Sequence, residues 1–128
     1  MLKNAVGFLS GSLVAFTILG ATGLAVAQTV PHSLVASPDI YKIIAENEQY
    51  RVIEVTWKPG QRDVVHSHPA SAVYNLMDCT LRSFDSSGVA RWTGQTRAGT
   101  AVVQQPIAAH SMENVGQSDC KLIMFEPK

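Results

Sequence analysis

Apolar and polar residues alternate in steps of two along much of this chain. The pattern is clearest from Arg51 to Trp57, where Ile53, Val55 and Trp57 fall on one side and Glu54, Thr56 and Lys58 on the other. Period-two alternation predicts a strand with one buried face. The stretch before it, Tyr41 to Glu46, is separated by the polar break Asn47-Glu48-Gln49. Ser37-Pro38-Asp39 resembles a helix start, and Ile40, Ile43 and Ile44 have helical spacing. The cluster of β-branched residues favours a hairpin through Asn47 instead. Further strands are predicted over Asp63–His68, Val73–Met77, Leu81–Asp85, Val89–Thr93, Ala101–Gln105, His110–Asn114 and Cys120–Phe125. Lys58-Pro59-Gly60 and Ser86-Ser87-Gly88 supply turns. No capped helix of ordinary length is expected after residue 50. Many short strands at spacings of about ten residues predict an all-β sandwich or barrel.

The first residues break this pattern. Lys3 is followed by an uncharged run from Ala5 to Ala27 that ends in Ala25-Val26-Ala27. A basic start, an apolar stretch and a small-x-small end read as a secretory signal peptide over residues 1–27. An uncleaved membrane anchor is the alternative, but Gly7, Ser10, Gly11, Ser12, Gly20 and Gly23 dilute the run. Export to the periplasm or the medium is therefore expected, with no membrane attachment after cleavage. Residues 28–39, with Pro31, Ser33, Ser37 and Pro38, show no period and read as an N-terminal arm.

The whole chain has 128 residues with ten basic and ten acidic side chains. A chain so close to neutral has no basic stripe for a phosphate backbone, which argues against nucleic acid as a partner. About 100 residues remain after cleavage, and a domain of that size buries only a modest core. Two cysteines, Cys79 and Cys120, are the available staple. An oxidising compartment lets a disulfide persist, and the absence of a C-x-x-C motif argues against a thioredoxin-type redox role.

Candidate chemistry rests on the histidines. His32 lies in the arm with no partner nearby in sequence and is expected to be exposed. His66 and His68 are two apart, so on a strand they share a face with Cα atoms roughly 6.5–7 Å apart. His110 follows on another strand. If the two strands are neighbours, three imidazoles meet, with positions left for water or substrate, as catalytic metal sites require. The spacing alone leaves the alternative of two hydrogen-bonded core histidines open.

These residues resemble the motifs of the cupin family. The first family motif, G-x5-H-x-H-x3–4-E-x6-G, is approached by Gly60, His66-Ser67-His68 and the residues after them. The second, roughly G-x5-P-x-G-x2-H-x3-N, is approached by Gly99, Pro106, His110 and Asn114. The likeness runs from about residue 40 to the end, so residues 40–128 are identified as a cupin-like domain, similar to small exported bacterial proteins with one such domain. It implies a cupin double-stranded β-helix, or jelly-roll barrel.

The sequence also departs from the family. The glutamate ligand is expected at Ala72, the closing glycine of the first motif at Cys79, and Ala108 replaces a glycine beside spacings that are one residue off around Pro106. The resemblance therefore carries over three ligands, His66, His68 and His110, for one divalent transition metal: iron, zinc, manganese, copper or nickel. An all-imidazole site is more electropositive than one with a carboxylate and favours an anionic or thiolate ligand. Thiol dioxygenases are cupins with such a ligand set.

Met112 shares a strand face with His110 and is either a soft pocket ligand or core packing. Tyr74 is a possible pocket residue, and Asp63 and Gln105 are others that nothing in the sequence selects. Trp57, Trp92 and Tyr74 also suit core or cavity wall. The resemblance implies that the strand after the first motif pairs with the last strand, which predicts a Cys79–Cys120 disulfide contributing on the order of 3–4 kcal/mol. It also implies a homodimer paired through sheet edges. Three functions stay open: an oxygenase-like metal enzyme acting on a small molecule, a non-catalytic module binding a small ligand or metal, and a metal-free oligomeric scaffold.

Overall fold

A computed structural model describes residues 29–128. The expected signal segment, residues 1–27, lies outside the described residues. The elements are a one-turn helix α1 (Ser33–Ala36), then β1 (Tyr41–Glu46), β2 (Tyr50–Trp57), β3 (His66–His68), β4 (Ser71–Asn75), β5 (Cys79–Phe84), β6 (Ala90–Thr96), β7 (Ala101–Gln104), β8 (Ile107–Asn114) and β9 (Cys120–Pro127). They form two sheets, ordered β1-β2-β9-β4-β7 and β3-β8-β5-β6. All named strand pairs are antiparallel.

The alternation in the sequence becomes the inside and outside of this sandwich. β2 and β9 pair without interruption from Tyr50↔Pro127 to Trp57↔Cys120. Ile53, Val55 and Trp57 from β2 and Cys120, Leu122 and Met124 from β9 are all buried in one core cluster. β1 and β2 form the expected hairpin, with a bulge between Ile43 and Ala45; β1 is an edge strand, exposed after Tyr41, Ile43 and Ile44 included. Gly60 closes the turn after β2 at φ 75°, a conformation that glycine adopts without strain.

Two expectations need correction. The strand foreseen over Asp63–His68 contains only His66–His68, because the preceding residues serve as hydrogen-bonding bridges: Asp63 N–H donates to the Met112 carbonyl, and Val64 N–H to Ser37 Oγ. The arm, where the sequence shows no period, contains the one-turn helix α1 and is anchored. His32 caps α1 by accepting from Leu34 N–H, and Ser67 N–H donates to the Pro31 carbonyl, tying the arm to β3.

Cys79 and Cys120 form a disulfide, with Cα atoms 5.2 Å apart. The route to it differs from the expected one. The strand that pairs with β9 is β4, which ends at Asn75↔Leu122. The chain then crosses to the other sheet, where Cys79 opens β5 opposite Thr96. The bridge therefore staples the two sheets at one end of the barrel rather than linking neighbours in one sheet. It is compatible with an oxidising compartment. Its 41-residue separation corresponds to about 4 kcal/mol in the loop-entropy picture. Thiol titration in denaturant without reductant should find no free thiol, and reduction should lower the unfolding free energy by about that amount. Two free thiols per unreduced chain would contradict the pairing.

Candidate metal centre

The three histidines of the sequence motifs meet inside the barrel. β3 lies against β8 with His66 directly opposite His110. A register shift follows, since His68 pairs with Ile107, so β8 takes one residue more than β3. This bulge falls in the stretch where the spacing around Pro106 departs from the family pattern. Bulges of this kind re-aim side chains beside a site. The nitrogens of His66, His68 and His110 lie within 4.8 Å of one another. His66 Nε2 and His68 Nε2 are 2.9 Å apart.

The second nitrogen of His66 sets its protonation. His66 Nδ1 lies 2.7 Å from the Val64 carbonyl, which accepts only from an N–H. The proton is thereby assigned to Nδ1, and Nε2 keeps its lone pair toward the cluster. Tyr41 Oη is 3.3 Å from that lone pair, but its hydrogen goes to Asp63 Oδ2 at 2.8 Å. Burial, with the Asp63 carboxylate beside it, raises the Tyr41 pKa well above 10, so the phenol keeps its proton. His110 Nε2 is buried with no hydrogen-bond partner. An orphaned imidazole nitrogen facing other lone pairs is costly unless a cation collects them. Imidazole nitrogens bound to one ion at about 2.0–2.1 Å stand roughly 3.0–3.4 Å apart, close to the 2.9 Å between His66 Nε2 and His68 Nε2. The donor set fits a divalent transition metal.

Two buried carboxylates stand behind the histidines. Asp63 accepts from Tyr41 Oη, Trp57 Nε1 and Met112 N–H, and its Oδ1 lies 3.6 Å from His66 Nδ1. Glu126 on β9 is fully buried. Its carboxylate lies 2.7 Å from His32 Nε2, 3.3 Å from Arg51 Nε and 3.7 Å from His68 Nδ1. These approaches are not aligned as hydrogen bonds. Burial opposes ionisation of Glu126, yet His68, His32 and Arg51 around it hold its pKa below the usual carboxylate value. His32 is thus not the free surface residue expected from sequence: it is half-buried against Glu126 and packs edge-on against His68.

Three further placements change the sequence reading. Ala72 is exposed on the outer face of β4, so it is not the inward position where a fourth ligand would stand. Its neighbour Val73 is buried and lines the cavity beside the histidines, and it is equally unable to bind a metal. Tyr74 is 48 % exposed, on the same outer face as Ala72, and does not line that cavity. Met112 does line it, as does Trp57, while the half-exposed Trp92 forms part of its wall. Gln105 is exposed and lies outside it.

The cavity holds about 500 Å³. His68 and His110 open onto it, while His66 sits behind them, fully buried. Tyr41, Asn75, Gln95, Thr96, Arg97, Thr100 and Gln104 supply its polar groups, and no Asp or Glu does. Sequence inspection missed Tyr41 and Glu126. Glu126 carried a signal: it continues the inward parity of Cys120, Leu122 and Met124 with a charged residue.

Burial lowers the pKa of His110 to about 3, with His66 and His68 adding to the effect. Burial likewise lowers His66, against the opposing pull of Asp63, and His32, against that of Glu126. In the unfolded chain these residues protonate near pH 6.5, so between there and the folded values the unfolded state binds more protons. Stability is therefore present above pH 6.5 and is lost as the pH falls. The melting temperature of metal-free protein should drop steadily from pH 7 to pH 5, with a limiting slope of about 1.4 kcal/mol per pH unit for each such histidine. A flat profile over that range would contradict the histidine environments.

No protein-family model matches the chain, and no curated protein matches it. Solved structures do share its fold. A cupin domain from Bordetella pertussis aligns with a TM-score of 0.62 at 19% identity, covering 80% of this chain and 99% of that one. A conserved Klebsiella pneumoniae protein with a double-stranded β-helix domain aligns with a TM-score of 0.54 at 18% identity, covering 69% of this chain and 75% of its own. A cupin family protein with a double-stranded β-helix fold from Methanocaldococcus jannaschii aligns with a TM-score of 0.54 at 10% identity, covering 69% of this chain and 78% of its own. The described chain has the cupin fold, a double-stranded β-helix built of two antiparallel sheets.

Proposed function

We propose that this is an exported metal-binding protein that holds one divalent transition metal on His66, His68 and His110 and receives a small molecule in the adjoining cavity. The observation that carries this reading is the convergence of three buried imidazoles in which His66 presents a lone pair and His110 Nε2 has no partner. The Val64 carbonyl fits the role of the group that holds a metal-bound histidine by its second nitrogen, and Asp63 and Glu126 fit that of nearby carboxylates that raise the basicity of the rings. Asp63 sits behind His66, and Glu126 behind His68.

Chemistry in the cavity depends on the metal. No carboxylate lines the cavity to act as a base, and the Tyr41 phenol is held protonated. A metal on three neutral imidazoles supplies Lewis acidity and open positions for an exogenous ligand. The protein's own groups shape the cavity, exclude water with Trp57, Leu122 and Met124, and orient the ligand. An oxygenase-like activity fits such a site. The second reading, a module that binds without chemistry, is favoured by the same lack of a general acid or base.

Metal analysis after loading and dialysis should find one ion per chain in the wild type and a small residual fraction in His66→Ala. Glu126→Gln should keep the ion but bind it about 10- to 100-fold more weakly. A wild type that retains no divalent ion, or a His66→Ala variant that retains it undiminished, would overturn the metal reading. With iron loaded, oxygen consumption that requires a thiol would favour the enzyme over the binding module.

A further inference from the structure

The cavity's charge pattern identifies a class of ligand. Its wall is largely apolar, contributed by Val73, Leu81, Trp92, Val102, Met112 and Leu122. Arg97 is its one permanently charged lining residue. Arg97 lies between β6 and β7, the outermost strands of the two sheets, where the mouth of the cavity opens. It is exposed, and among the described residues its guanidinium enters no ion pair.

The turn that carries Arg97 is braced. Gly99 N–H donates to the Asn75 carbonyl at 2.8 Å, and Asn75 N–H donates to the Thr100 carbonyl at 2.9 Å. Asn75 Nδ2 donates to Thr100 Oγ1, and Ala98 N–H donates to Asp78 Oδ1. Gly99 holds a φ of 79°, which fits the tight turn. Arg97 thus projects from a fixed base beside the cavity mouth. It also borders a smaller hollow near Asp78 and Asn114 on its other side.

The Trp92 wall is similarly specific. Trp92 and Gly94 share a face of β6, and the indole lies over the glycine so closely that a Cβ there would fall 2.3 Å from Trp92 Cζ2. Glycine within a strand marks such a close approach. With no side chain at Gly94, the ring packs against the strand and forms part of the cavity wall.

We propose that the cavity takes a small organic acid, with its apolar body between Trp92, Val102 and Leu122 and its carboxylate on Arg97. This names the ligand class for the small-molecule reading above and rests on that reading, but not on the metal. A cationic ligand would find no acid among the lining residues. A polyol would need many free polar partners, yet Asn75 is already engaged by Thr100 and Gln104 by Ser71. A planar guanidinium at an apolar pocket matches a carboxylate by paired charge-assisted hydrogen bonds.

The test uses 3-phenylpropanoate, 3-phenylpropanamide and inorganic phosphate as probes, titrated calorimetrically into the chelator-treated wild type, Arg97→Gln and Arg97→Lys. The carboxylate should bind the wild type about tenfold or more tightly than the amide. That preference should vanish in Arg97→Gln and persist in part in Arg97→Lys, with amide affinity unchanged. Phosphate, which lacks the apolar body, should bind more weakly than 3-phenylpropanoate. Equal affinity for acid and amide, a preference that survives Arg97→Gln, phosphate binding as tightly as the organic acid, or no binding by any probe would each overturn the assignment. Because the protein is metal-free throughout, these outcomes are separate from the fate of the metal reading.

Discussion

The site depends first on one buried carboxylate. Asp63 accepts hydrogen bonds from Tyr41 on β1, Trp57 on β2 and the Met112 amide on β8, and it lies behind His66. A buried charge is tolerated only when its oxygens are well satisfied, and here three donors from different strands do so. The same contacts draw both sheets onto the segment leading into β3. They also engage the Tyr41 hydroxyl hydrogen, which leaves the phenol oxygen's lone pairs facing the histidines. Removing the carboxylate would leave the Trp57 indole and the Tyr41 hydroxyl unpaired in the core, so the geometry of the site and the stability of the barrel share one support.

Around that support the protein keeps negative charge near the histidines but out of the cavity. The inward position on β4 beside the histidines is Val73, an apolar wall. The nearest carboxylates, Asp63 and Glu126, stand behind the imidazoles rather than among them. A cation in this site would receive three neutral nitrogens directly and feel the carboxylates only through the rings. A bound cation would then make a net positive centre facing an apolar cavity, with a second positive charge, Arg97, at the mouth. Both features suit an anionic ligand. The N-terminal arm joins this arrangement through His32, which closes over the buried face of Glu126.

Much of this was legible in the chain, and the rest was hidden for definite reasons. Strand alternation located β2, β5, β7 and the core of β9, because one buried face imposes period two. The His-x-His spacing and His110 marked three residues that the β3–β8 pairing brings together. The Cys79–Cys120 bridge and the pairing of the strand after the first motif with the last strand were both expected and are both present; Cys79 was placed at the end of that strand, whereas the chain leaves it at Asn75 and Cys79 opens β5 in the second sheet. The motif spacing pointed to Ala72, and Tyr74 was a possible pocket residue, but the chain bends at Ala70 and resets the phase, so Ser71, Val73 and Asn75 face inward. Glu126 escaped notice because β9 was ended two residues early, at Phe125. His32 and Tyr41 are brought to the site by contacts with strands far away in sequence, which no local pattern encodes.

The central claim is that three imidazoles, with no carboxylate, form the direct ligand set of a bound ion. X-ray absorption spectroscopy on protein loaded with one equivalent of cobalt(II) tests it most directly. The account predicts an outer-shell pattern of three histidine rings in the wild type and two in His110→Ala. A first shell containing a protein carboxylate, or fewer than three imidazoles in the wild type, would contradict it.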